Sequence, residues 1–100
     1  NYKIVVGRNQ KENKELLEQS KSDDIWFHIR DIPSCHVIIK TDKKEPPLSV
    51  LEKAAKLCVS FSTDKKGDYE VDYTKRKFVK PKEGANVLYN KYRTISVTKE

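Results

Sequence analysis

The sequence predicts a single α+β domain: a mixed, mainly antiparallel β-sheet carrying two principal α-helices. Short β-branched runs bounded by turn residues occur toward both ends of the chain. One central stretch repeats its apolar residues at three- and four-residue steps, and only residues 31–34 separate two strand-like segments. Strands, then a helix, then more strands is the α+β order. With 100 residues, 36% of them hydrophobic, the chain can bury one core and not two.

Tyr2-Lys3-Ile4-Val5-Val6 reads as a strand running into a turn at Gly7. Asn9 precedes Glu12 by three residues, a capping-box spacing, and Leu16 and Leu17 sit in the mostly charged run that ends near Ser20, so an exposed amphipathic helix follows. Ile25, Phe27 and Ile29 then alternate with Trp26, His28 and Arg30, giving a strand with one apolar face and one bearing an indole, an imidazole and a guanidinium. A sheet covered on both sides would remove that distinction. Residues 31–34 make a turn and 35–40 return as a second strand. The register stays open, because a shift of one residue moves His36 between the face of His28 and the opposite one.

Residues 41–47 are polar and carry two prolines, and a helix spans 48–62 with Leu51, Ala54, Ala55, Cys58, Phe61 and Ser62 stepping round at helical spacing. A loop at 63–68 leads to strand candidates at 69–73, 76–79, 86–89 and 94–97.

Several functions are disfavoured. The longest apolar runs are Ile4-Val5-Val6 and Val37-Ile38-Ile39, far short of the roughly 18 residues of a membrane span, and nothing resembles a signal peptide, so the expected address is the cytoplasm with no membrane partner. Gly7, Gly67 and Gly84 are too scattered to cradle phosphates in a loop. Cys35 and His36, adjacent in a strand, point to opposite faces and no Cys-x-x-Cys pair exists, so neither a metal nor another cofactor is expected, and both Cys35 and Cys58 read as buried thiols. The chain contains no methionine, which gives the expectation that residues 1–100 form one domain excised from a longer protein.

The charge is unevenly placed. Between residues 74 and 93 lie Lys75, Arg76, Lys77, Lys80, Lys82, Lys91 and Arg93 against Glu83 alone, a surplus equal to the whole net charge of +6. Focused positive charge with Tyr73, Phe78, Tyr89 and Tyr92 among it suits a phosphate backbone and unpaired bases.

Asp24-Ile25-Trp26-Phe27-His28 followed by His36-Val37-Ile38-Ile39 resembles the NFACT-R domain, whose pattern is Asp-x-Trp-Phe-His, a short loop, then Gly-Ser-His-Val and apolar residues. Gly7-Arg8-Asn9 with Asn13 and Leu16 is similar to the family's opening stretch, Ala54-Ala55 with Ser60 and Ser62 to its Ala-Ala helix, and Val71-Asp72-Tyr73-Thr74 with Val79-Lys80 to its later strands. Ser34-Cys35 stands where the family has Gly-Ser, and Ala85-Asn86 lacks its Pro-Gly.

The resemblance implies a non-enzymatic RNA-associated module of ribosome-associated quality-control proteins, which bind a large ribosomal subunit carrying a stalled nascent chain and recruit tRNA. Its implied partners are RNA (tRNA or rRNA), the large ribosomal subunit and the other domains of the parent protein. On this reading Lys75, Arg76, Lys77, Lys80 and Lys82 contact phosphates, and Trp26, His28, Arg30 and His36 form the more selective surface. The rival readings are a protein-interaction module anchored by Trp26 and Phe78, a domain engaging DNA instead, and an RNA-modifying enzyme using His28 and His36 as acid and base.

Overall fold

The structure, a computed structural model, describes residues 2–41, 45–83 and 87–100. Strand β1 (Lys3–Gly7) is followed by helix α1 (Gln10–Gln19). Asn9 caps α1: its Oδ1 accepts the Glu12 N–H at 2.9 Å, while the Glu12 carboxylate accepts the Arg8 N–H at 2.9 Å. This is the expected capping box with its return bond displaced by one residue. Strands β2 (Ile25–Ile29) and β3 (His36–Lys40) form the hairpin, and helix α2 (Leu48–Ser62) has the predicted bounds. Then come β4 (Gly67–Lys75), a 3₁₀ turn (Arg76–Phe78), β5 (Val79–Pro81), β6 (Val87–Tyr89) and β7 (Arg93–Lys99).

The main sheet has the order β1-β3-β2-β4-β7 with every neighbouring pair antiparallel, and β5 and β6 make a separate two-stranded sheet. The fold class is therefore the α+β one expected. Four local expectations are corrected. Gly7 ends β1, paired with His36 of β3, rather than lying in a turn, and α1 crosses so close that a Cβ there would meet the backbone N and Cα of Asn13 at 3.0 Å. Residues 76–78 are a 3₁₀ turn and not strand: past the end of β4 the Arg76 N–H donates to the Asp24 carbonyl (2.8 Å) and the Lys77 N–H to the Ser22 carbonyl (3.1 Å). Gly67 and Asp68, expected in a loop, belong to β4, and β7 runs beyond the expected 94–97 at both ends. Ala85-Asn86 lies outside the described residues.

Both faces of the sheet are covered. On one, Phe27, Ile29, Val37, Ile39 and Val71 pack against Ala54, Ala55, Cys58 and Val59 of α2, whose small residues let the helix approach closely. On the other, Leu16 and Leu17 of α1 and Val79 of β5 bury Trp26 and Ile38, with Val5, Val87 and Tyr89 at the margin. Trp26 is 0% exposed. Parity thus separates the two faces correctly, but the second face is a core and not a free surface. A buried tryptophan of this kind stabilises the fold by about 3–5 kcal/mol relative to alanine.

Cys35 and Cys58 are buried free thiols, each Sγ donating to the other's carbonyl at 3.4 and 3.5 Å. The Ser34-Cys35 departure is accommodated there, with the Ser34 hydroxyl accepting the Ile29 N–H across the hairpin at 3.1 Å. No helix among the described residues is long and apolar enough to cross a membrane.

Candidate nucleic-acid interface

The β2–β3 register pairs Phe27 with Val37, and the next step sets His28 opposite His36. Their ring centroids are 5.5 Å apart. His28 stacks nearly parallel to Trp26 (5.6 Å, 16°), and His36 meets the same indole edge-on (5.5 Å, 86°). Three of the four residues expected to form a selective surface, Trp26, His28 and His36, therefore share a face. Trp26 cannot act there as a stacking platform, because α1 and the β5–β6 hairpin enclose it; that expectation is corrected. The protein-interaction reading loses its Trp26 anchor for the same reason. Burial pushes the His36 pKa down to about 4, with the neighbouring His28 adding to the shift. Burial also lowers His28, against the opposing pull of the Ile29 backbone and Asp72.

Arg30 does not project freely either. Its Nη2 donates to Asp72 Oδ1 (2.8 Å) and to the Thr94 hydroxyl (2.7 Å), and its Nε to Asp72 Oδ2 (3.2 Å), while the guanidinium lies 5.6 Å from the Tyr92 ring. Asp72 is 1% exposed and also accepts the Tyr89 hydroxyl (2.6 Å) and the Thr94 hydroxyl (2.8 Å). Burial alone would raise its carboxyl, but the bonds from Arg30, Tyr89 and Thr94 outweigh burial and hold it below the usual carboxylate value. This hub joins the residue after β2 to β4, β6 and β7. Sequence reasoning missed it; the one available signal was a carboxylate inside the strand-like run Val71-Asp72-Tyr73. Asp24 was missed as a clamp: its carboxylate accepts the N–H groups of Lys21 (2.9 Å) and Thr41 (3.1 Å), closing the end of β2 against the end of β3.

The basic segment divides into two kinds of residue. Arg76 is tied into the fold, with Nε donating to the Leu17 carbonyl (2.9 Å) at the end of α1 and Nη1 to the Val79 carbonyl (2.8 Å), which leaves Nη2 for its expected phosphate contact. Cations at a helix C-terminus are favoured by the helix dipole. All the remaining cations but Lys82 gather around Phe78. The ammonium groups of Lys77 and Lys91 lie 5.4 and 4.9 Å from its ring. Lys75, Lys91 and Arg93 line a hollow of about 290 Å³ on one side of Phe78, and Lys77 and Lys80 another of about 340 Å³. Lys82 is exposed just beyond β5. Lys75 approaches Glu45 at 3.9 Å, a pair too exposed to hold much charge. No carboxylate among the described residues pairs with Lys77, Lys80, Lys82, Lys91 or Arg93.

The two sets lie apart along β2. Lys75 pairs with Ile25 at one end of β2, whereas His28 lies three residues along, about 10 Å away at strand spacing. No three His, Cys, Asp or Glu side chains converge as metal ligands among the described residues.

A five-stranded antiparallel sheet with covered faces, a histidine pair beside a buried indole and a rim of unpaired cations defines a small α+β binding module. The family model described as the NFACT protein RNA binding domain matches residues 1–90, and the chain belongs to that family. It is 38% identical over 100 residues to the Rqc2 homolog RqcH of Bacillus subtilis, covering 95% of this chain and 17% of that protein. It is 28% identical over 103 residues to the coiled-coil domain-containing protein 25 homolog of Dictyostelium discoideum, covering 94% and 50%. A solved structure of the C-terminal part of the fibronectin/fibrinogen-binding protein from Streptococcus suis superposes with a TM-score of 0.89 at 32% identity, covering all of this chain and 42% of that one. The chain thus spans less than a fifth of the RqcH relative.

Proposed function

We propose that the domain is a non-catalytic RNA-binding module of a cytoplasmic ribosome-associated quality-control factor. It contacts tRNA or rRNA on the large ribosomal subunit during rescue of stalled nascent chains, working beside other domains of its parent protein. The observation that carries this reading is the cluster of exposed cations around Phe78, Lys77, Lys80, Lys91 and Arg93, with Lys75 at its edge and exposed Lys82 just beyond β5. The family's description as RNA-binding and the likeness to RqcH support the choice of RNA as the polyanion. Such cations displace the counterions condensed on the phosphates they bind, and the half-buried Phe78 ring gives the cluster an aromatic centre.

The test is the salt dependence of affinity for a tRNA or an rRNA helix. Five neutralised phosphates give a slope of log K against log salt near −4. A slope near zero would remove the phosphate contacts and this function with them.

A further inference from the structure

Beyond the lysine cluster, the two histidines open onto a cleft of about 460 Å³ at the hairpin end of the sheet. That volume lies within the ~300–1,000 Å³ of small-molecule sites. Arg8 and Gln10 at the start of α1, Asn13, His28, His36 and Phe61 of α2 line it. No acidic side chain is among its lining residues.

Two features of this cleft are unused by the fold, and a third adds charge beside them. His36 is 2% exposed, yet its Nδ1 has no hydrogen-bond partner among the described residues. An unpaired buried polar atom is costly to keep, and a ligand that completes its hydrogen bond recovers that loss. The backbone N–H of His36 is satisfied by Asn13 Oδ1 at 3.0 Å, so the orphaned atom is the ring nitrogen alone. Phe61 is 47% exposed at the last turn of α2, with the Arg8 guanidinium 5.1 Å from its ring centroid. The N-terminus of α1 adds partial positive charge beside Arg8, offset in part by the Glu12 carboxylate, which accepts the Arg8 N–H at 2.9 Å, so the Arg8 guanidinium is the main cation there.

An aromatic wall, a cationic mouth and a neutral buried hydrogen-bonding nitrogen match the three parts of a nucleotide. We propose that this cleft takes one unpaired nucleotide of an RNA strand, with its base against Phe61, its base edge on Nδ1 of His36 and its phosphate at Arg8 and the start of α1. The proposal rests on the RNA-binding reading above and assigns it a second contact, separate from the lysine cluster. His36 stays neutral at physiological pH because burial holds its pKa at about 4, and that suits a base edge better than a phosphate.

The test is a titration of the chain, followed by NMR at the His36 ring and the Gln10 amide, with the four nucleoside 5′-monophosphates, inorganic phosphate and a single-stranded tetraribonucleotide. Monophosphates are expected to shift both probes and to bind at least tenfold more tightly than phosphate. The tetranucleotide is expected to bind more tightly still, through its added phosphates. Phe61→Ala should weaken monophosphate binding about tenfold, in line with base stacking on an exposed ring. Arg8→Ala, at another exposed residue, tests the phosphate end independently. Unshifted probes at saturating monophosphate, or phosphate binding as well as nucleotides do, would overturn the nucleotide site. Equal affinity for mononucleotide and tetranucleotide would overturn the assignment to a strand. A gel shift with the same RNA separates the two readings: binding that keeps its salt slope while the cleft stays silent overturns only the cleft, and loss of RNA binding altogether overturns both.

Discussion

The Arg76 guanidinium donates to the Leu17 carbonyl at 2.9 Å, across 59 residues of sequence, and so fastens the last turn of α1 to the start of the β5 segment. Its second bond, to the Val79 carbonyl, closes the 3₁₀ turn. Of the seven cations in the basic segment, this one is committed to the fold. Arg76→Ala is expected to destabilise the domain by about 1.5–3 kcal/mol, the worth of charged hydrogen bonds. For a domain of this size that lowers the melting temperature by about 10 °C. Calorimetry on the variant checks it; an unchanged melting temperature would show that the two bonds do not hold the fold.

The neighbouring lysines should behave oppositely. Replacing Lys77, Lys80 and Lys82 together with glutamate touches exposed side chains that make no ion pair among the described residues. The melting temperature should move by only a few degrees, while the salt slope of RNA binding falls by about 3, one per lysine removed. Filter binding at several salt concentrations reads the slope directly, and a wild-type slope would clear these lysines of any phosphate contact.

Acid should weaken the fold before the carboxylates titrate. His36 has a folded pKa of about 4 against 6.5 for the free side chain, so below 6.5 the unfolded chain takes up a proton that the folded chain resists. Stability is therefore complete above pH 6.5 and is lost as pH falls toward 4, by roughly 3 kcal/mol in all. Asp72, held below its ordinary 3.8, adds its own loss only beneath that window. Urea denaturation at pH 7 and pH 4.5 measures the difference, and His36→Gln should reduce it to the part contributed by His28, which burial also lowers.

At Gly7 the constraint is space. A Cβ would collide with Asn13, both its side-chain oxygen and its backbone, and that oxygen is held by the His36 N–H. Gly7→Ala is expected to cost about 1–3 kcal/mol, as overpacking does. The same change should loosen the floor of the histidine cleft. Hydrogen exchange of the His36 amide is the measurement: protection that survives the substitution would show that α1 can shift without strain.

Much of the fold was legible because periodicity is a local property. The 3- and 4-residue steps from Leu51 to Ser62 bounded α2 correctly, and Asn9 and Glu12 announced the start of α1. The alternation from Ile25 to Arg30 sorted those residues onto two faces, and the Asp-x-Trp-Phe-His pattern with the second histidine pointed to the family. Alternation states which residues face the same way, however, and not what lies opposite. That Trp26 is enclosed depends on Leu17 and on Val79, which is 53 residues away in sequence. The pairing of His28 with His36 depends on a hairpin register that one residue would invert. The roles of Arg76 and Asp72 depend on partners 17 to 59 residues away, brought within hydrogen-bond reach only when the sheet and its two coverings assemble. Charge is written in the sequence; whether a cation faces solvent or a carbonyl oxygen is decided by packing.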